Sequence, residues 1–270
     1  METFTMPTIP EAPGGEVKCE LIDDHIALVT LNRPEKRNAV NVALATALDR
    51  VVKWTEADER IRVTILASSL PTIFCAGADV AEIAAGRAAE LSTPDGGFAG
   101  LHAARRSKPW IAAVRGSALG GGCELCLSCD MIVAADDARF GLPEVKRGLF
   151  AAAAGAYRLA KLLPRNLATE LITTGREFSA VFAHAHGMVN RLAPADEVID
   201  TAISLAHEVA ACAPLAVRES MKLVRLSAEK SEDALRAMSQ EAARRIFASA
   251  DAREGTAAFL EKRAPVWNGK

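Results

Sequence analysis

Tyrosine is almost missing from this chain, one in 270 residues, and aromatic residues together make up only 5%. With half of all residues apolar, the core has to be built from alanine and aliphatic side chains. No apolar run approaches the roughly 20 residues that a bilayer span requires, so no membrane role is expected. The N-terminus lacks the basic, apolar, small-residue order of a secretory signal. Pro7, Pro10, Pro13, Gly14 and Gly15 mark a flexible leader over residues 1–16 instead. Neither charge dominates. The formal net charge of −2 gives no pull toward nucleic acid or anionic lipid, and no basic, aromatic-interleaved patch marks an RNA surface.

Cysteine is sparse, and its pattern is incomplete as a metal site. Cys123, Cys126 and Cys129 superficially match an iron–sulfur run, but the next cysteine is Cys212. Positions spaced by three lie along one side of a helix, where Cys serves as a small buried hydrophobe. Free thiols in a reducing cytosol are expected, with no metal. His184 and His186 are two apart and share no helix face, which argues against a metal site there.

The chain is long enough for one full core with an appendage. Val17 to Ile22 and Ile26 to Leu31 read as strands around the Asp23-Asp24-His25 turn. Asn41 to Ala57 carries helical periodicity. Val63 to Ala67, Trp110 to Val114 and Met131 to Ala135 read as buried strands. Short helices are expected from Val80 and over Phe98 to Arg106, and Gly86 to Gly100 as a mobile loop. Strands alternating with helices predict an α/β fold rich in parallel pairing over residues 17–194. After Leu192 the strand signal stops. Ala195 to Ala211, Pro214 to Leu226, Glu232 to Ser249 and Ala252 to Lys262 are helical, so residues 195–270 form a helical C-terminal portion.

Two turns carry the chemistry. Phe74-Cys75-Ala76-Gly77-Ala78-Asp79 and Gly116-Ser117-Ala118-Leu119-Gly120-Gly121-Gly122-Cys123-Glu124 each follow a strand and open a helix. Gly and Ala there leave backbone N–H groups unpaired and uncovered. Side by side, two such turns would aim two donors at one oxygen, which is how an oxyanion hole is built. The second turn also delivers Glu124. Taken alone, Glu124 is a first-turn acid that complements the helix macrodipole, and Asp79 is a helix cap.

Motifs in order along the chain decide between those readings. Leu31-Asn32-Arg33-Pro34 with Arg37-Asn38-Ala39, Phe74 to Asp79, Ala118 to Asp130, and Phe140 to Glu144 with Gly148-Leu149 resemble the enoyl-CoA hydratase/isomerase family, the crotonases. The C-terminal Asp251 to Gly255 and Phe259 to Arg263 fit the same family. The resemblance implies a spiral core of ββα turns, a C-terminal helical trimerisation region, and a homotrimer or dimer of trimers. It implies an acyl-CoA thioester substrate and no separate cofactor, coenzyme A entering with the substrate. Carried over by position, the N–H groups of Ala78 and Gly121 form the oxyanion hole, and Glu124 and Glu144 are the catalytic carboxylates. Arg37, Asn38, Ala39, Ala76, Gly77, Asp79 and Lys262 fall on coenzyme A-binding positions. Ala152 falls where family hydratases steady the reacting water with a backbone N–H. Two readings stand for Arg33, Lys36 and Arg37, phosphate contacts or solvated surface. Two also stand for Phe259 with Lys262, coenzyme A contact across a subunit boundary or plain packing.

The implied reaction is hydration of a trans-2-enoyl-CoA to a 3-hydroxyacyl-CoA. Two carboxyl groups in opposite protonation states can take a proton from water and give one to the α carbon. Burial and mutual repulsion hold such pKa values apart. Double-bond isomerisation, dehydration of a carnitinyl or sterol-derived thioester, and non-catalytic acyl-CoA binding are the alternatives. The chain departs from the family pattern at Phe150-Ala151-Ala152-Ala153-Ala154-Gly155, where methyl groups narrow or reshape the pocket. The loop from Gly86 to Gly100 is expected to line the acyl pocket.

Overall fold

The computed structural model describes residues 14–270, so most of the leader expected over residues 1–16 lies outside the described residues. β1 (Val17–Leu21) and β2 (Ile26–Leu31) form an antiparallel hairpin. The Asp23 carboxylate closes it by accepting from the His25 and Ile26 amides at 2.7 and 2.9 Å. α1 (Val42–Ala57) begins at Asn41, whose side chain accepts the Leu44 N–H at 2.9 Å; such a cap contributes about 1 kcal/mol. At its other end the buried Lys108 Nζ donates to the carbonyls of Thr55 and Asp58 at 2.6 and 2.7 Å. Those are orphan carbonyls of a helix terminus, and the cation satisfies them.

From here the chain winds in repeating turns. β3 (Val63–Ser68) and β4 (Ile73–Cys75) are followed by α2 (Val80–Ala84), and β5 (Ser92–Thr93) with β6 (Gly97–Phe98) makes a short hairpin. β7 (Trp110–Val114) and β8 (Ser117–Leu119) lead into α3 (Gly121–Ser128); β9 (Met131–Ala135) and β10 (Arg139–Gly141) come next. α4 (Gly155–Leu162), α5 (Arg165–Thr174), β11 (Phe178–Ser179), α6 (Ala180–Ala185) and β12 (Arg191–Ala193) complete the core. α7 (Val198–Ala210), α8 (Pro214–Leu226), α9 (Glu232–Ala248) and α10 (Ala250–Glu261) follow.

The strands sort into two main sheets. The larger has the order β1-β2-β3-β7-β9-β12 and is parallel except at β1–β2. The smaller has the order β11-β10-β8-β4 and is parallel except at β10–β11. Three times in succession one strand enters the larger sheet and the next enters the smaller, which is the spiral of ββα turns. The core follows the composition: Ile65, Leu66, Ile111, Ala112 and Val133 are fully buried, with Phe74, Trp110 and Phe140 as its large aromatic members. Burial of each aliphatic side chain contributes roughly 1.5–3 kcal/mol.

One expected helix is absent. Phe98 to Arg106 carries apolar residues at helical spacing but folds as turns, because Ala99 and Gly100 take φ of 54° and 71°, outside the right-handed helix. The segment Gly86 to Gly100, expected as a mobile loop, holds a 3-10 turn over Ala88–Leu91 and the β5–β6 hairpin. Thr93 Oγ1 ties that hairpin to α1 by donating to Asp49 Oδ1 at 2.7 Å. Among the described residues, no single helix is long and apolar enough to cross a membrane.

Candidate active site

The β4–α2 turn is stitched to the chain after β2. Val40 N–H donates to Gly77 O at 2.8 Å, and Asp79 N–H donates to Val40 O at 2.9 Å. This parallel bridge uses the groups on either side of Ala78 and leaves the Ala78 N–H facing away from Val40, with no partner among the described residues. Gly77 makes the turn possible at φ 98°, a conformation that a side chain rarely tolerates. Asp79 then caps α2, its Oδ1 accepting the Ala81 N–H at 3.0 Å, while Oδ2 pairs with Arg33 at 2.6 Å. The Arg33 guanidinium holds the Asp79 carboxyl below the usual range, against its own burial.

The β8–α3 turn packs against the first. Gly121 is the first residue of α3, so its N–H has no intrahelical partner. A Cβ on Gly121 would lie 3.4 Å from Ala78 N, and one on Gly77 would lie 3.0 Å from Gly121 N. The two amides are therefore neighbours across the junction. Close approach needs Gly122 as well, since a Cβ there would fall 2.1 Å from Cys75 O. The Phe98 ring from β6 covers the junction, within 2.5–2.6 Å of where a Gly121 Cβ would sit. Phe98 N–H donates to His102 Nδ1 at 2.7 Å, which fixes the backbone that carries the ring.

Glu124 stands on α3 three residues after Gly121, and Glu144 lies against Gly120. Glu124, in the first turn of α3, is buried at 4% exposure. Its Oε1 accepts the Gly155 N–H at 2.9 Å, and the Ala153 amide also bonds the carboxylate. Ala154 between them is held at φ 78°, uncommon for a residue with a side chain. Burial pushes the Glu124 carboxyl up to about 7; the Gly155 hydrogen bond opposes the rise and the nearby Glu144 charge adds to it. Glu144 stands in the 3-10 turn Pro143–Arg147 after β10. A Cβ on Gly120 would sit 3.0 Å from its Oε1, and its Oε2 is buried with no partner. Burial raises its pKa too. The unpartnered Glu144 Oε2 is thus a buried polar atom next to the Gly120 turn, a feature uncommon in folded proteins.

The remaining predicted residues are not all alike. Arg37, Asn38 and Ala39 form the loop that bonds the first turn through Ala76 N–H to Arg37 O at 3.1 Å. Arg37 and Ala76 are exposed, but Asn38 is fully buried. Its amide nitrogen donates to Ser68 Oγ and Phe74 O at 2.8 and 3.0 Å, and its Oδ1 accepts the Arg33 N–H at 2.8 Å. That side chain holds the loop together and has little left for a ligand. Arg33 likewise turns inward to Asp79, whereas Lys36 stays exposed. Ala152 is exposed; the amides on the Glu124 carboxylate are those of its neighbours Ala153 and Gly155. Lys262 caps α10 in solvent. Sequence reasoning missed Gly155, Phe98 and His102; the glycine ending the alanine run was the one available signal.

Cys75, Cys123 and Cys126 are buried around α3, and burial pushes the Cys75 thiol up to about 12. They pack as neutral groups.

A ββα spiral whose two glycine turns pack together, with Glu124 and Glu144 on either side of the second, defines a crotonase-fold protein. The sequence profile of the enoyl-CoA hydratase/isomerase family matches residues 22–270, and the chain belongs to that family. A mevalonyl-coenzyme A hydratase of Aspergillus fumigatus is 39% identical over 90% of this chain and 91% of its own length. A carnitinyl-CoA dehydratase of Proteus mirabilis is 38% identical over 90% of this chain and 94% of its own. Among solved structures, the enoyl-CoA hydratase EchA1 of Mycobacterium marinum superposes with a TM-score of 0.90 at 42% identity, covering 94% of this chain and 99% of that one. A carnitinyl-CoA hydratase of Mycobacterium avium gives 0.74 at 38% identity, covering 94% and 99%. The protein is thus a crotonase-family enzyme with hydratase- and dehydratase-type relatives, and family membership implies a coenzyme A thioester as substrate.

Proposed function

We propose that the enzyme adds water across the Cα–Cβ double bond of a trans-2-enoyl-CoA, or removes it from the 3-hydroxyacyl-CoA in the reverse sense. The observation that carries this reading is the pair of carboxyls whose pKa burial raises, Glu124 and Glu144, on either side of the second of the two turns that carry the neighbouring amides of Ala78 and Gly121. One carboxyl would suffice to shuttle a proton within an acyl group; two suit the addition of water.

In this mechanism the thioester oxygen lies between the two N–H groups. Glu124 takes a proton from water as the water oxygen bonds Cβ. The π electrons move onto the thioester oxygen, where the two amides stabilise the enolate; each such donor is worth about 2.7–4 kcal/mol. Glu144 delivers its proton to Cα as the carbonyl re-forms, and the proton on Glu124 returns to Glu144 to reset the pair. Proton transfer of this kind contributes about 10²–10⁴-fold. Burial raises the pKa of both carboxyls and the Glu144 charge adds to the rise at Glu124, so the proton that the cycle moves belongs to the pair. Hydratase and dehydratase names among the relatives describe this chemistry in opposite directions.

Coenzyme A would lie along Arg37 to Ala39 and Ala76 to Asp79, where Arg37 and Ala76 are exposed and the Lys36 charge faces solvent. Phe247, Phe259 and Leu260 on α9 and α10 are 79, 82 and 75% exposed. Apolar surface of that kind supports assembly into a trimer or dimer of trimers, which would also bring Lys262 to a subunit boundary.

The test is a panel of acyl-CoA thioesters, straight-chain, branched and hydroxylated, followed by loss of enoyl absorbance and product mass. A gain of one water on a 2-enoyl-CoA supports the proposal. Double-bond migration without hydration would move the enzyme to the isomerases of its family.

A further inference from the structure

Gly155 and Arg158 lie three residues apart on α4, and positions at that spacing share a helix face. The Gly155 amide holds the Glu124 carboxylate at 2.9 Å, and the Arg158 N–H donates to Ala154 O at 2.9 Å, closing the first turn of the helix. The Arg158 guanidinium has two anchors. One nitrogen donates to Ser128 Oγ at 2.6 Å, and that hydroxyl donates to Glu124 O, one turn back on α3, at 2.6 Å. The other donates to His102 O at 2.7 Å, and the His102 ring accepts the Phe98 N–H. One side chain thus joins α4 to the helix that carries Glu124 and to the segment that carries Phe98.

Arg158 is half-buried and has no carboxylate within ion-pair distance among the described residues. Burial and the nearby Arg106 charge oppose its ionisation, while Tyr157, Cys129 and Glu124 favour it. A guanidinium keeps its proton in a protein regardless. His102 and Cys129 stay neutral beside it: burial and Arg158 hold the imidazole pKa down, and burial pushes the thiol up to about 12. Asp130, just past α3, pairs with Arg106 and Arg225, and Lys161 pairs with Glu229. On the other side, Glu144 is the acid that faces Glu124, and Cys123, its neighbour on α3, is a buried neutral thiol. Arg158 is the cation that acts on Glu124, in opposition to burial and to the Glu144 charge.

We propose that Arg158 is a positioning residue of the hydration reaction: anchored at Ser128 and His102, it fixes a positive charge near Glu124 that favours the carboxylate over the carboxylic acid. The inference rests on the reading of Glu124 as the base that takes the proton of water. A buried carboxyl facing a second acid drifts toward its protonated form, which cannot accept that proton. A cation held at hydrogen-bonded anchors opposes the drift without capping the base in a direct ion pair, so the carboxylate stays free to bond water. Lysine in its place would carry the charge without the two-pronged grip.

Carbon-13 NMR titration of the Glu124 carboxyl in the whole protein, assigned by its absence in Glu124→Gln, tests the proposal without reference to the reaction. Loss of a nearby positive charge disfavours the carboxylate, so Arg158→Gln should move the titration to higher pH by about half a pH unit or more. The acid limb of kcat/KM for a 2-enoyl-CoA should move with it, so that the rate deficit of the variant widens as pH falls. Arg158→Lys should restore both. Should Arg158→Gln fail to fold, Arg158→Met, apolar and of similar length, carries the same expectation. A residue that only packs would lower the rate equally at every pH and leave the titration unmoved. Hydration intact with an unmoved titration overturns the role of Arg158 alone. A moved titration with no hydration of any 2-enoyl-CoA overturns the reaction on which that role rests.

Discussion

The Gly155 amide donates a 2.9 Å hydrogen bond to Glu124 Oε1, tying the first residue of α4 to the first turn of α3. The contact leaves no room for a side chain. A Cβ on residue 155 would sit 2.9 Å from both Cγ and Oε1 of Glu124, and equally close to the Ala151 Cβ. Gly155→Ala should therefore displace the carboxylate. Overpacking costs about 1–3 kcal/mol of stability, while a displacement near 1 Å lowers kcat by about 10²-fold. Steady-state kinetics beside thermal unfolding would separate the two effects, and an unchanged kcat would detach Gly155 from the reaction.

Glu124 should trade stability for activity. Its carboxyl rises from an ordinary 4.5 to about 7 in the folded protein, so the fold binds this proton more tightly than the unfolded chain does. The resulting stability is fully present below the unfolded pKa and is lost as pH rises from 4.5 to about 7. At about 1.4 kcal/mol per pKa unit, the loss is on the order of 3 kcal/mol. Glu124→Gln, which keeps an acceptor for Gly155, should be more stable than the wild type at pH 8 and lack this pH dependence. It should also lose most hydratase activity while still binding acyl-CoA, as should Glu144→Gln. Wild-type activity should fall as pH drops below about 7, where Glu124 can no longer accept a proton. Denaturant melts across pH and matching rate profiles check both expectations.

Phe98 should set which acyl groups enter. Its ring lies over Gly121, and its backbone is held by His102. Phe98→Ala should shift the ratio of kcat/KM for a β-branched over a straight-chain enoyl-CoA upward by about tenfold or more, the scale at which apolar pocket volume discriminates. The measurement is a competition assay with product mass. An unchanged ratio would place the acyl chain elsewhere.

Asp79 joins the first turn to Arg33, and their side chains are 11 and 14% exposed. Asp79→Asn retains a capping group but leaves the guanidinium without its close anion, which costs about 1.5–3 kcal/mol. The carboxyl is held low by Arg33, so the folded protein binds this proton more weakly than the unfolded chain. The wild-type contribution is therefore present above the unfolded pKa of about 3.9 and lost as pH falls through the lower folded value. Urea melts at neutral and acid pH should show the deficit of Asp79→Asn at neutral pH narrowing in acid.

The legible parts of the sequence were those with length and period. β2, β3, β7 and β9 are five or six residues of buried aliphatic chain, and α1 and α8 carry a helical stripe with a cap or an opening proline. The smaller sheet was not legible, because β4, β8, β10 and β11 span two or three residues, too few for alternation to register. Phe98 to Arg106 shows the converse failure: the period was present, but positive φ at Ala99 and Gly100 decided the conformation. At the site, the two glycine motifs place Ala78 beside Gly121, and Glu144 lies against Gly120. The bond partners of Glu124 were invisible, since nothing in a run of alanines says which amide will face a carboxylate. Asn38 shows that a motif position can be structural: its side chain is spent on Arg33, Ser68 and Phe74.

A crystal structure of the enzyme with a non-reactive thioester analogue tests the central claim most directly. The account predicts the thioester oxygen at about 2.7–3.1 Å from both Ala78 N and Gly121 N, with Cα beside Glu144 and Cβ beside Glu124. A thioester carbonyl bound away from those two amides would contradict it.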